Sequence, residues 1–162
     1  MKIVILIVSF ILESVMSNFF PVNSFFASLF SLTALIVIYP LFDGDNFKYF
    51  RYAFLLGFAY DLIYTDTIIF QAFLFLIIAY LVTILRKMLS DNLLNLVIVT
   101  LICIASYRTI NYFALVITGN LDFNLLTWIA SIYNSVILNV IYCLIIGWVV
   151  NRIMRKKRRY RF

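Results

Sequence analysis

Residues 125–150 read LLTWIASIYNSVILNVIYCLIIGWVV, contain no charged residue, and run directly into NRIMRKKRRYRF at 151–162. About 20 apolar residues suffice to cross a hydrocarbon core of about 30 Å, so this stretch reads as a membrane-crossing helix. The Arg- and Lys-rich run after it reads as a tail resting at one headgroup surface. Inside the apolar stretch, Ser131, Ser135, Asn139, Cys143 and Gly147 recur at every fourth position. Residues four apart share a helix face, and small side chains let two backbones approach closely where apolar burial gives no net drive between helices. This is a helix-packing stripe, with a substrate path as the competing reading.

The rest of the chain has the same character. Of its 162 residues 65% are hydrophobic and 12% charged, too few charges to cover an apolar exterior in water. Polar breaks divide it into six apolar segments, at 3–20, 24–42, 47–64, 68–85, 93–117 and 125–150. The third is the weakest and spans only if Lys48 and Arg51 snorkel to the interface. The expectation is one all-α transmembrane domain over 1–150 and a basic tail over 151–162. The start, Lys2 before an apolar run, superficially resembles a signal peptide. Glu13 interrupts that run and no convincing small-residue cleavage site follows, so a retained first helix is expected.

Charge placement tests the six-span reading. With both termini inside, cytoplasmic segments hold Lys2, Lys48, Arg51, Arg86, Lys87 and the tail, while the outer loops hold Asp66 and Asp122 and no basic residue. Such asymmetry follows the positive-inside rule. Merging spans three and four would split the positive charge between the two sides. The tail is expected to meet anionic lipid. Nucleic-acid binding is not expected, because the run is read as lacking a folded element to present it.

Three ionisable residues fall within spans: Glu13, Asp61 and Arg108. A lone charge at the bilayer centre costs at least about 2.5 kcal/mol, so each should face protein or water. Counting from the helix ends puts all three in the outer half, where Arg108 could pair with Glu13 or Asp61. The competing reading is that they snorkel separately. Ser9, Glu13 and Ser17 share one face of the first span, and Gly57 and Asp61 share one face of the third.

No catalytic, cofactor or metal site is expected. The chain has no histidine, which removes the commonest general base and metal ligand. Cys103 and Cys143 are isolated in apolar runs and read as packing residues. Nothing resembles a glycine loop for phosphates.

Several local patterns resemble the MreD family of rod shape-determining proteins, in its Gram-positive form. They are Leu12-Glu13-Ser14 followed by Asn18-Phe19-Phe20-Pro21; Gly57-Phe58-Ala59-Tyr60-Asp61-Leu62-Ile63-Tyr64-Thr65; Ile78-Ala79-Tyr80-Leu81-Val82; and Leu138-Asn139 before a basic terminus. The family-pattern positions are Glu13, Gly57, Asp61, Tyr64 and Asn139. The chain departs from the pattern at Asp66–Phe70, where glycines are common, and at Asn134, where a proline is common. The resemblance implies a non-catalytic, multi-pass bacterial membrane scaffold of the cell-wall elongation machinery, or elongasome. Its implied partners are the bitopic protein MreC, a RodA-type polymerase and a class B penicillin-binding protein. It also implies a six-helix fold like the substrate-binding subunits of energy-coupling-factor transporters. Two rival functions remain: a vitamin-capturing transporter subunit on that fold, and an intramembrane enzyme using Glu13 or Asp61.

Overall fold

The computed structural model describes residues 1–19, 28–65, 68–89 and 92–159. Its regular structure, among those residues, is wholly helical. The helices are α1 (Lys2–Phe19), α2 (Phe30–Ile38), α3 (Asn46–Tyr64), α4 (Phe70–Met88), α5 (Leu93–Ile117) and α6 (Leu125–Arg159), with a 3₁₀ turn at Tyr39–Phe42. Four of them, α1, α4, α5 and α6, are long and apolar enough to cross a membrane.

Local chemistry explains where the helices stop. Pro40 lacks an N–H and cannot continue α2, so the chain tightens into the 3₁₀ turn. It then reverses through Asp43 and Gly44, both with positive φ (52° and 87°). Asp45 starts α3 by accepting a hydrogen bond from Lys48 N at 3.1 Å, and its carboxylate also meets Lys48 Nζ at 2.9 Å. Past α5, the amide of Gly119 (φ 74°) donates to Val116 O and that of Asn120 to Leu115 O, closing the helix end.

The helices run alternately up and down. Lys2 Nζ lies 4.0 Å from the centre of the Phe42 ring, so the start of α1 and the end of α2 share one end of the bundle. The same alternation brings Lys48, Arg51, Arg86 and Lys87 to that end, along with the last turns of α6. The helix α2 sits at the centre, touching α1, α4, α5 and α6. All nine of its residues are buried, which suits a helix that is apolar all round.

The bundle turns apolar side chains outward and holds several polar ones within its apolar core. Ser9, Glu13, Asp61, Gln71, Thr100, Ser135 and Asn139 are buried, whereas Ile3, Val4, Ile7, Ile11, Leu62 and Ile77 are more than half exposed. Only a solvent that cannot hydrogen-bond favours that arrangement, because polar groups must then find partners within the protein.

Two observations bear on the sequence reading. The expected second span, 24–42, lies partly outside the described residues, and what is described begins as helix only at Phe30. Together α2 and the 3₁₀ turn reach about 20 Å, short of a hydrocarbon core of about 30 Å. No break in the helix marks the expected division between the domain over 1–150 and the tail from 151. Instead α6 continues to Arg159, so the basic run does have a folded element to present it. Arg and Lys are good helix formers, and cations near a helix C-terminus are favoured by its dipole. α6 is continuous through Asn134, as a single span over 125–150 expects, because the main-chain N–H there keeps the helical ladder intact.

Candidate functional site

Two carboxylates within the bundle are bound to main-chain amides at the starts of neighbouring helices. Asp61, on α3, accepts from Gln71 N at 3.1 Å and Ala72 N at 3.0 Å, in the first turn of α4. Glu13, on α1, accepts from Ser31 N at 2.8 Å in the first turn of α2. Neither Leu29 before α2 nor Ile69 before α4 offers a side-chain cap. The first four N–H groups of any helix lack partners within it, and in lipid no water supplies them. Glu13 and Asp61 fill that place from outside, with carboxyl oxygens as acceptors at the positive end of a helix dipole.

The motif around Asp61 divides by helical phase. Gly57 and Asp61 face α4. A Cβ at Gly57 would lie 2.6 Å from Gln71 O and 2.7 Å from Ala72 Cα, so only glycine permits the approach that brings Asp61 within reach. Tyr49 and Ala53 continue the same buried face. Tyr60 and Tyr64 turn instead toward α1. The Tyr60 hydroxyl donates to Glu13 Oε1 at 3.0 Å, and the Tyr64 hydroxyl donates to Phe10 O at 3.0 Å and shares a hydrogen bond with Ser14. Phe10 sets its ring edge-on to both tyrosines.

A third group completes the cap of α2. Asn139 Oδ1 accepts from Leu29 N at 2.8 Å and from Thr33 Oγ1 at 3.4 Å, while its Nδ2 donates to Ser135 O at 2.6 Å. The rest of the α6 stripe faces α5: Ser135 accepts from Arg108 Nε at 2.6 Å, Cys143 Sγ lies 3.2 Å from Thr100 Oγ1, and a Cβ on Gly147 would press to 2.8 Å from Leu96 Cδ2. Ser131 is half-buried beside Arg108 in a cavity between α5 and α6.

Of the three intramembrane ionisable residues, the structure therefore gives the carboxylates one role and Arg108 another. Among the described residues, Arg108 forms no ion pair with Glu13 or Asp61. The carboxylates are engaged by amides and hydroxyls. Sequence reasoning missed the partners. Tyr60 binds Glu13, and Gln71 carries the amide that meets Asp61 while its side chain accepts from Tyr107 at 2.9 Å. Gln71 had a visible signal, as the lone amide side chain of its apolar segment. Main-chain donors have none.

The arrangement suits structure better than chemistry. Both carboxylates are enclosed (2% and 1% exposed), and among the described residues no group of three His, Cys, Asp or Glu gathers to hold a metal. In comparison with known proteins, residues 1–157 match the family model described as rod shape-determining protein MreD. No curated protein and no solved structure matches the chain.

Proposed function

This chain belongs to the MreD family of rod shape-determining proteins, and we propose that it acts as a non-catalytic membrane scaffold of the wall-elongation machinery. The observation that carries the reading is the use of both deep carboxylates as caps on neighbouring helices. A group held by main-chain amides fixes a framework, and it is poorly placed to exchange protons with a substrate. The framework leaves broad apolar helix faces toward lipid, where a partner's transmembrane helix packs by shape.

In this reading all six helices are embedded in the membrane and both termini are cytoplasmic. The gathering of Lys2, Lys48, Arg51, Arg86 and Lys87 at one end supports that orientation. α3 crosses with Lys48 and Arg51 at the interface, and α2 is held centrally by its neighbours. The direct partner is a bitopic MreC-like protein, through which a RodA-type polymerase and a class B penicillin-binding protein are engaged.

Purification of the tagged chain in mild detergent, with mass spectrometry of what accompanies it, tests the proposal. The expected result is MreC, with or without the synthases. Recovery of an ATPase pair and a coupling membrane subunit, with no wall-synthesis protein, would overturn it in favour of a transporter subunit.

A further inference from the structure

A cavity of about 500 Å³ opens at the end of the bundle away from the basic clusters, lined by α5, the first turns of α6 and the loop between them. Its inner end is Arg108, which lies about 14 Å inside the end of α5. Ser135 accepts from Arg108 Nε at 2.6 Å and donates to Ser131 O at 2.9 Å, which fixes the guanidinium by one edge. Among the described residues its two terminal nitrogens have no hydrogen-bond partner, and neither has the side-chain amide of Asn111 beside it. Glu13 and Asp61 are taken up by the starts of α2 and α4. Arg108 is thus a charge costly to keep in a membrane that holds little of the framework together. At the mouth, the Tyr112 hydroxyl accepts from Asn124 N at 2.8 Å and donates to Asn124 O at 2.9 Å, pinning to α5 the loop that carries Leu121 and Asp122.

From this geometry we infer that the cavity binds a small zwitterion, an amino acid or short peptide whose carboxylate lies on Arg108 and whose ammonium faces Asp122. With Nε held by Ser135, the guanidinium keeps its end-on pair of N–H groups, which matches the two oxygens of a carboxylate. Charge selects the zwitterion. Among the described residues Arg108 and Asp122 are the charged residues of the lining, one of each sign, so a ligand carrying both signs leaves neither unpaired. A simple anion would meet Asp122 on its way in. Depth argues against a lipid, whose phosphate stands near the helix ends, well outside the level of Arg108. Size agrees, since small-ligand sites run from about 300 to 1,000 Å³, and Leu115 and Leu121 offer apolar contact to a side chain. The inference does not rest on the scaffold reading. Nor would binding alone make the chain a transporter subunit, which also requires the ATPase pair.

Equilibrium dialysis of leucyl-leucine against the full chain in mild detergent tests the inference, with leucyl-leucinamide and N-acetyl-leucyl-leucine as blocked probes. Leucyl-leucine should bind saturably. Losing the carboxylate, in the amide, should weaken binding about thirty-fold, and masking the ammonium, in the N-acetyl form, about five-fold. Arg108→Met should cost leucyl-leucine as much as amidation does and leave the amide no weaker. Asp122→Asn should weaken leucyl-leucine about five-fold and leave the N-acetyl form unaffected. Arg51→Gln, at the other end of the bundle, where the guanidinium lies 5.4 Å from the centre of the Phe47 ring, serves as control and should change nothing. Absence of saturable binding up to roughly 10 mM, equal binding of peptide and amide, or a loss in the Arg51 control equal to that in Arg108→Met would each overturn the site. The blocked probes act on the unaltered chain, so that arm of the test does not depend on how any variant folds.

Discussion

The starts of α2 and α4 solve one problem in two ways. At α4 the cap is local: Asp61 lies ten and eleven residues before the amides it binds, so one carboxylate closes the α3–α4 hairpin. At α2 the cap is assembled from afar. Glu13 comes from α1 and is steadied by Tyr60 of α3, and Asn139 reaches across from α6 over a separation of 110 residues. The first arrangement stabilises a pair of helices, whereas the second ties four helices at one level. Loss of the Asp61 cap should therefore loosen one hairpin, and loss of the Glu13 cap should loosen the bundle.

The sharpest way to break the contrast is to separate α3 from α4 without touching a cap. Gly57→Ala places a methyl against α4 backbone, which cannot swing aside as a side chain could. Overpacking of this kind costs about 1–3 kcal/mol, and lost caps at Gln71 and Ala72 would add to it. A large fall in thermal stability in detergent is expected. A value at or above that of the unaltered chain would mean that the close approach at Gly57 does not exist.

Next come the caps themselves. Asp61→Ala leaves two buried amides without that acceptor, at about 1–3 kcal/mol each, and Glu13→Ala leaves one amide and the Tyr60 hydroxyl. The distinguishing measurement is hydrogen exchange by mass spectrometry. Asp61→Ala should raise exchange chiefly at the start of α4, while Glu13→Ala should raise it in α1, α2 and α3 together. Identical patterns from the two variants would abolish the local-versus-assembled distinction.

Arg108 should matter less than either carboxylate. Its Nε bonds to Ser135, and among the described residues it has no carboxylate within ion-pair distance. Arg108→Met removes a charge that is costly to bury in a membrane and sacrifices one hydrogen bond, so thermal stability should change by less than about 1 kcal/mol in either direction. A loss as large as that of Asp61→Ala would show that Arg108 is a counter-charge to Glu13 or Asp61 after all.

These cases explain which features the sequence exposes. The apolar runs and basic clusters identify the membrane class because bilayer thickness and charge insertion act on composition directly. The four-residue spacings of Gly57 with Asp61, and of Ser135 with Asn139 and Cys143, mark shared faces for the same geometric reason. What each face meets is another matter. A carboxylate in an apolar run invites pairing with Arg108, since that is the visible opposite charge, yet its strongest partners are main-chain amides that every residue except proline carries. The sequence likewise gives no warning that α6 continues through its basic run. A cluster of cations reads as a solvated tail, although the same residues are good helix formers once a helix already precedes them.

The smallest effect concerns a third helix start, that of α3, which water can reach. Asp45 caps α3 from its own chain, and its hydrogen bond with Lys48 holds the carboxyl below the usual aspartate range. A carboxyl depressed in the folded state contributes stability above its unfolded value, and that contribution is lost as pH falls through the folded one. Asp45 is exposed and water screens it, so the contribution is slight. The difference in melting temperature between Asp45→Ala and the unaltered chain should be small at neutral pH and vanish in acid. A difference that persisted or grew in acid would mean that the cap does not depend on the charge. The buried starts of α2 and α4 would then share with α3 the carboxyl-and-amide geometry alone.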